Sequence, residues 1–293
     1  MKGEIFACKH FAVHDGPGIR TTLFMKGCSL NCRWCHNPEG KKGHPQLAYY
    51  PDLCIHCGAC SKACAQGAHS MQDGKHVFDR QKCSACGQCE KACVKEALSF
   101  YGKTVEPQEI LPELLADRMF YRTTGGVTLS GGECLCQDDF CAELLQLLKK
   151  ENIHTAVDTC GHVLWKAFEK VLPYTDCFLY DVKAAQREVH KALCGAENHL
   201  ILENLKKLDE RGAMIEVRIP YVPHYNDQEM AAIAELLRPL KAVKSVKVLG
   251  YHSYASSKYE ALGLENPMPE TPMPSAAQVK KMQDMMEESI SSH

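Results

Sequence analysis

No apolar run in this chain approaches the roughly 20 residues that cross a bilayer. The N-terminus, Met1-Lys2-Gly3-Glu4, also lacks the apolar core of a signal peptide. A cytoplasmic location and no membrane partner are therefore expected. Charge of one sign is lacking too: the formal net charge is −2 over 293 residues. That balance supplies no global field to attract nucleic acid, so no nucleic-acid partner is expected.

Cysteine is the opposite case, with 18 residues. A disulfide scaffold belongs to small secreted chains, whereas metal ligation suits a reducing compartment. Eleven of the 18 fall in three clusters with short spacers, at 28–35, 54–64 and 83–93. Such neighbours converge on one metal centre more readily than they pair with each other, which favours ligation. Cys8, Cys134, Cys136, Cys141, Cys160, Cys177 and Cys194 stand outside these clusters and are read as small packing residues or incidental thiols.

Two of the clusters form a repeat. Cys54-Ile55-His56-Cys57-Gly58-Ala59-Cys60-Ser61-Lys62-Ala63-Cys64 aligns with Cys83-Ser84-Ala85-Cys86-Gly87-Gln88-Cys89-Glu90-Lys91-Ala92-Cys93, a period of 29 residues. Around it the chain alternates strands and helices. Strands are predicted near 20–26, 127–130, 154–158, 176–181, 214–219 and 244–249. Helices are predicted near 107–121, 138–151, 163–172, 198–211, 227–238 and 275–290. In 138–151, Phe140, Leu144, Leu147 and Leu148 recur at helical spacing, with acids in the first turn and lysines in the last. Pro112 sits awkwardly in the first helix. Six βα units imply an α/β fold with a parallel sheet and right-handed crossovers. Six are too few for a closed eight-stranded barrel, so a partial (β/α)6 barrel is expected, with a doubly wound sheet as the alternative. The repeat falls between the first strand and its helix. It reads as an inserted bacterial ferredoxin-like domain at 53–97, splitting a barrel of residues 1–52 and 98–293. The proline-rich 266–274 reads as extended.

Four constellations carry chemistry. Cys28, Cys32 and Cys35 have the spacing C-x3-C-x2-C. Three soft thiolates can bind three irons of a cubane and leave the fourth iron to a substrate. A structural zinc wants four ligands, and His36 offers a fourth, so zinc remains open here. The repeat has the spacing of two-cluster ferredoxins, in which each run's fourth cysteine serves the other cluster. That predicts Cys54, Cys57, Cys60 and Cys93 on one cluster and Cys83, Cys86, Cys89 and Cys64 on the other. The customary Pro after the fourth cysteine is replaced by Ala65 and Val94; a pair of zinc sites is the alternative. Ser130-Gly131-Gly132-Glu133 lets backbone approach a ligand closely, and Glu133 can accept from a ligand ammonium; a plain glycine turn before the next helix is the alternative. Finally Asp158, Thr159, Asp181, Lys183, Arg218 and His252 fall at predicted strand ends, the rim where barrel enzymes keep their active sites.

C-x3-C-x2-C followed by His36-Asn37 and preceded by Asp15-Gly16-Pro17-Gly18-Ile19-Arg20-Thr21 resembles the radical SAM activating enzymes of glycyl radical enzymes, in the branch with a ferredoxin-like insert. The likeness extends to SGGE at 130–133, DTCG at 158–161, YDVK at 180–183, VRIP at 217–220 and YHSY at 251–254. It departs at Cys134, where the family often has Pro or a small residue. The resemblance implies that Cys28, Cys32 and Cys35 hold a [4Fe–4S] cluster whose open iron is chelated by S-adenosylmethionine (SAM). Trp34 and His36 would contact its adenine end. Gly131, Gly132 and Glu133 would receive the methionine ammonium, and Lys183 and His252 would meet the carboxylate or ribose side. Asp158, Thr159 and Asp181 match positions that in a relative form a monovalent-cation site beside SAM. Asp15, Thr159 and Arg218 match positions that touch the partner's glycine loop. The implied activity is reductive cleavage of SAM to a 5′-deoxyadenosyl radical that takes hydrogen from a glycine Cα of the partner. Three [4Fe–4S] clusters, a flavodoxin or ferredoxin as electron donor and a monomeric chain are expected. Partner candidates are dehydratases of diols, glycerol or hydroxyproline, choline or sulfonate lyases, and arylacetate decarboxylases. A radical SAM enzyme acting on a small molecule and an electron-transfer protein are the alternatives; DGPGIRT and Arg218 favour activation.

Overall fold

The structure, a computed structural model, describes residues 1–268 and 270–290. Residues 269 and 291–293, inside the predicted 266–274 tail and 98–293 segment, lie outside the described residues. Among the described residues twelve strands occur in chain order: β1 (Gly3–Ala12), β2 (Arg20–Met25), β3 (Gln46–Tyr49), β4 (His69–Gln72), β5 (Lys75–Phe78), β6 (Leu98–Tyr101), β7 (Lys103–Val105), β8 (Gly126–Gly131), β9 (His154–Thr159), β10 (Cys177–Asp181), β11 (Ile215–Tyr221) and β12 (Val243–Gly250). Eight of them form one sheet, in the order β12-β11-β10-β9-β8-β2-β1-β7. The six predicted strands are its parallel part, β2 through β12. Each lies beside the next in sequence with no reversal of order. The doubly wound alternative fails on that point, because it needs a switch point where the order reverses.

Sequence periodicity missed the antiparallel edge, β1 and β7. Register shifts between Ile5 and Ala7 and between Lys9 and Ala12 break the alternation of β1, and β7 is three residues long. The helix expected over 107–121 is two, Pro107–Leu115 and Arg118–Tyr121. Between them Asp117 turns into the sheet edge, accepting from Thr21 Oγ1 at 2.8 Å and lying 2.6 Å from His10 Nδ1. Two further helices, Arg187–Cys194 and Ser256–Ala261, also went unpredicted.

Strand alternation sorts the sheet into two faces. Leu23, Met25, Val127, Leu129, Val157, Phe178, Tyr180, Val217 and Ile219 join Phe140, Leu144, Leu148 and Phe168 of the crossover helices in one buried core. Most residues between them face the other way and are small or polar: Thr22, Thr128, Ser130, Ala156, Asp158, Asp181 and Arg218; Phe24 and Leu179 are apolar exceptions, Leu179 packing with Ala156 and Cys177. Arg20 sits among them, fully buried. Its Nε donates to Thr128 Oγ1 at 2.6 Å, and its terminal nitrogens donate to the carbonyls of Pro17, Val127 and His154 at 3.0, 2.7 and 3.2 Å. It thereby staples the Asp15–Gly18 loop across the polar face.

The cysteine repeat hangs from a two-stranded neck, in which β3 pairs antiparallel with β6 from Gln46↔Tyr101 to Tyr49↔Leu98. Within it each run bends alike. His56 and Ala85 share φ 55°, and Gly58 and Gly87 have φ 72° and 75°, each pair at equivalent repeat positions. A short helix follows each, Ala59–Ala63 and Gln88–Lys91. The hairpin β4–β5 turns at Asp73-Gly74, both at positive φ, as a tight hairpin requires.

Candidate active site

The loop of Cys28, Cys32 and Cys35 leaves the end of β2 and is tied at its base, where Gly27 N donates to Gly40 O at 2.7 Å and Cys28 N to Lys41 O at 3.1 Å. The end of the helix Arg187–Cys194 clamps its middle: Asn31 N donates to Cys194 O at 2.8 Å and Arg33 N to Leu193 O at 3.0 Å. Tyr259 OH holds Cys35 O at 3.2 Å. Thiolate is the form that ligates iron. A hydrogen bond from the Cys160 thiol is the main cause that lowers the Cys28 pKa, and one from Cys194 brings Cys32 down to about 7. Burial pushes Cys35 up to about 12, a cost that bonding to a cation removes. Cys160 and Cys194, expected to be packing residues, thus stand against two of the three thiols. Only the DTCG motif hinted at the first, and nothing in the sequence flagged the second. His36 is engaged elsewhere. Its Nε2 lies 3.0 Å from His252 O and its ring stacks on His252 at 3.9 Å, which argues against a fourth zinc ligand.

The Gly131–Glu133 turn packs on the base of that loop. Gly132 N donates to Met25 O at 2.9 Å, Glu133 N to Gly27 O at 2.7 Å, and Asn37 Nδ2 to Gly131 O at 3.3 Å. A Cβ on Gly132 would lie 2.3 Å from Gly27 O and 2.5 Å from Gly40 O. Gly132→Ala should therefore displace the cysteine loop and cost about 1–3 kcal/mol. A lowered melting temperature in Gly132→Ala is the expected result; an unchanged one would contradict this contact. The Glu133 carboxylate is fully buried and turned inward. It accepts from Leu135 N at 3.0 Å, Cys160 N at 2.7 Å and Thr159 Oγ1 at 2.9 Å.

The strand ends deliver the remaining groups in register, with Leu179 beside Asp158, Tyr180 beside Thr159 and Asp181 beside Arg218. Asp158 accepts from Ser130 Oγ at 2.6 Å and lies 3.6 Å from the Arg218 guanidinium. Burial pushes its pKa to about 6; Arg218 opposes that rise, and the Asp181 charge adds to it. Lys183 Nζ sits 2.5 Å from Asp181 Oδ2. Burial works against its charge, but Asp181 and the thiols of Cys32, Cys160 and Cys194 outweigh burial and raise its pKa. Arg218 donates to His14 O at 2.6 Å, and Thr22 Oγ1 donates to Asp15 at 2.9 Å, so the Asp15 loop meets these strand ends. Trp34 is buried in the main core. Beyond β12, His252 leaves its Nδ1 buried with no protein partner, as expected of a group awaiting a ligand.

In the repeat, Cys54, Cys57, Cys60 and Cys93 line one cavity and Cys64, Cys83, Cys86 and Cys89 line a second. Each cavity thus draws three thiols from one run and one from the other. The helix Ser256–Ala261 joins the two regions. Its Lys258 Nζ donates to His36 O at 3.2 Å, while Ala261 O accepts from Arg80, which precedes Cys83, at 2.6 Å. No helix among the described residues is long and apolar enough to cross a membrane.

The Radical SAM superfamily model matches residues 22–237. The choline trimethylamine-lyase activating enzyme of Oleidesulfovibrio alaskensis is 40 % identical over 291 residues, covering 96 % of this chain and 94 % of that protein. The trans-4-hydroxy-L-proline dehydratase activating enzyme of Clostridioides difficile is 38 % identical over 284 residues, covering 95 % and 94 %. Streptococcus suis SuiB bound to S-adenosylmethionine superposes with a TM-score of 0.50 at 12 % identity, over 64 % of this chain and 39 % of that one, a likeness of fold alone. With a family model over most of its length and relatives at 38–40 % identity along nearly all of it, the chain belongs to the radical SAM superfamily and, within it, to the activating enzymes of glycyl radical enzymes.

Proposed function

We propose that this chain activates a glycyl radical enzyme, with Cys28, Cys32 and Cys35 holding a [4Fe–4S] cluster that leaves one iron to SAM. Bound by these three thiolates and reduced, such a group would supply the one electron needed to cleave the S–C5′ bond of SAM to methionine and a 5′-deoxyadenosyl radical, and the radical would take the Cα hydrogen of one glycine in the partner. The observation that carries the reading is the convergence of the cysteine loop, the 131–133 turn and the ends of β9, β10, β11 and β12 at one end of the sheet.

The chain's own residues then orient the ligand and exclude water. The Gly131–Gly132 backbone meets the methionine ammonium, and Glu133 holds that turn from behind. Lys183 and His252 take the carboxylate and ribose side, a role supported by the unpartnered His252 Nδ1. Trp34 and His36 bound the adenine end. Asp15, Thr159 and Arg218 meet the partner's glycine loop, which leaves its own fold to reach the site. The six parallel strands form a partial (β/α)6 barrel around this rim, a reading supported by their unreversed order. Residues 1–52 and 98–293 make up that barrel, and residues 53–97 a ferredoxin-like insert with two further [4Fe–4S] clusters on Cys54, Cys57, Cys60, Cys93 and Cys83, Cys86, Cys89, Cys64. A flavodoxin or ferredoxin supplies the electron, and the chain works as a monomer.

Asp158, Thr159 and Asp181 hold a monovalent cation beside SAM. Arg218 and Lys183 already balance part of the charge of these two carboxylates, yet the Asp158 pKa stays raised to about 6, so a further cation would favour its ionised form. As pH falls through about 6, Asp158 takes a proton and the cation loses a ligand. Stimulation of SAM cleavage by potassium or sodium should be full at pH 8 and largely gone below pH 6; an undiminished effect at low pH would contradict the site.

The reading is tested by mixing the anaerobic, reduced protein and SAM with a panel of dehydratases, lyases and decarboxylases of the glycyl radical class. A glycyl radical signal in electron paramagnetic resonance (EPR) from one of them is expected. 5′-Deoxyadenosine without a radical in any partner would favour a small-molecule substrate.

A further inference from the structure

Two buried histidines stand between the two cavities of the repeat. His69 pairs with Phe78 and Met71 with His76 across the β4–β5 hairpin, so His69 and His76 are diagonal neighbours on one face. They are 3 % and 8 % exposed. His69 Nδ1 lies 2.9 Å from His76 Nε2. The ring of His69 stacks on Phe78 at 4.7 Å, and that of His76 meets Tyr49 edge-on at 4.6 Å. Each ring lines a different cavity, His76 that of Cys54, Cys57, Cys60 and Cys93, and His69 that of Cys64, Cys83, Cys86 and Cys89. Cys60 Sγ lies within 4.8 Å of a nitrogen of each.

The hydrogen bond between the rings links their tautomers. If His69 Nδ1–H donates to His76 Nε2, the proton of His76 sits on Nδ1. If the bond runs the other way, His76 Nδ1 is a bare lone pair. That atom is buried and has no protein partner, a costly state unless something in the cavity satisfies it. The sulfurs of a thiolate-bound cluster are anionic acceptors, so they select the first arrangement. The 29-residue repeat puts Leu98 and Val105 where the first copy has His69 and His76, so the device serves the two clusters unequally.

We propose that His76 Nδ1–H donates to the cluster on Cys54, Cys57, Cys60 and Cys93 and raises its reduction potential, with His69 as the positioning residue that fixes the proton on that nitrogen. The inference rests on the reading of 53–97 as a two-cluster insert. Reduction adds negative charge to the cluster, and a donor aimed at its sulfurs stabilises the reduced form.

The test uses the anaerobically reconstituted full chain in an EPR-monitored redox titration, with dithionite as reductant. In His76→Phe, one auxiliary couple should fall by about tenfold in its one-electron equilibrium, about 59 mV, while about twelve irons per chain are kept. His76→Asn, which keeps an N–H near the Nδ1 position, should return most of that shift. In the parent labelled with 15N-histidine, the reduced cluster should show a nitrogen hyperfine coupling. About twelve irons with no such coupling, or with the same couples in parent and His76→Phe, overturns the inference and leaves the two-cluster insert standing. About four irons in the parent, or zinc on Cys60, His69 and His76, overturns the insert reading and the inference with it.

Discussion

Cys35→Ala is expected to abolish 5′-deoxyadenosine formation down to the level of cluster-free protein and to remove about four of about twelve irons. The three thiols are not equal for this experiment. Cys28 has the Cys160 thiol beside it and Cys32 has Cys194, so a variant at either leaves a substitute sulfur within the site. For Cys35 the causes acting on its thiol are burial, Lys41, the Asn37 backbone N–H and its fellow cluster cysteines, with no extra thiol among them. Its removal leaves a cluster with two ligands. The remaining irons, about eight, should stay on the repeat, whose cysteines belong to a separate part of the chain. Loss of activity with all the iron retained would contradict the assignment of this loop as the SAM-cluster site.

Glu133→Ala is expected to lower kcat/KM for SAM about 100-fold and to cost about 3 kcal/mol of stability. The family likeness assigns Glu133 to the methionine ammonium, but its carboxylate is already taken by Leu135 N, Cys160 N and Thr159 Oγ1. Burial pushes its pKa up while those donors favour the charged form. Truncation leaves three buried donors unpaired and frees the glycine turn from the 158–161 segment. The two roles are separable by comparing SAM affinity with thermal stability in Glu133→Gln. A turn-holding Glu133 predicts that both fall together, because the new amide N–H meets donors. A Glu133 that binds SAM directly predicts lost affinity with the melting temperature unchanged.

The parallel part of the sheet was legible because its strands are short apolar runs flanked by helices of clear 3.6-residue period. β1 was not, because two register shifts spoil its alternation. The cysteines announced themselves by spacing, and so did the mixed lining of the two cavities, each with three thiols of one run and one of the other. What the chain order could not convey is proximity between distant segments. Cys194 ends a helix more than 150 residues after Cys32, yet its carbonyl accepts from Asn31 N, beside Cys32, at 2.8 Å. His36 and His252 stack although they come from distant parts of the chain. Arg20 is legible as part of the DGPGIRT motif, but its task, fastening the Asp15 loop across six carbonyl and side-chain contacts, depends on β8 and β9 lying beside it. The helix Ser256–Ala261, which links the cysteine loop to the repeat, is short and weakly patterned, so neither it nor its bridging contacts could be read in advance.

The central claim is that the radical made at the 28–35 site takes its hydrogen from a glycine Cα of a partner protein. The most direct measurement gives the reduced activator and unlabelled SAM a glycyl radical enzyme grown on α-deuterated glycine, and reads the mass of the 5′-deoxyadenosine formed. One deuterium in the product, in step with the glycyl radical signal, is the predicted result. 5′-Deoxyadenosine that carries no deuterium while the partner's radical appears would contradict the claim.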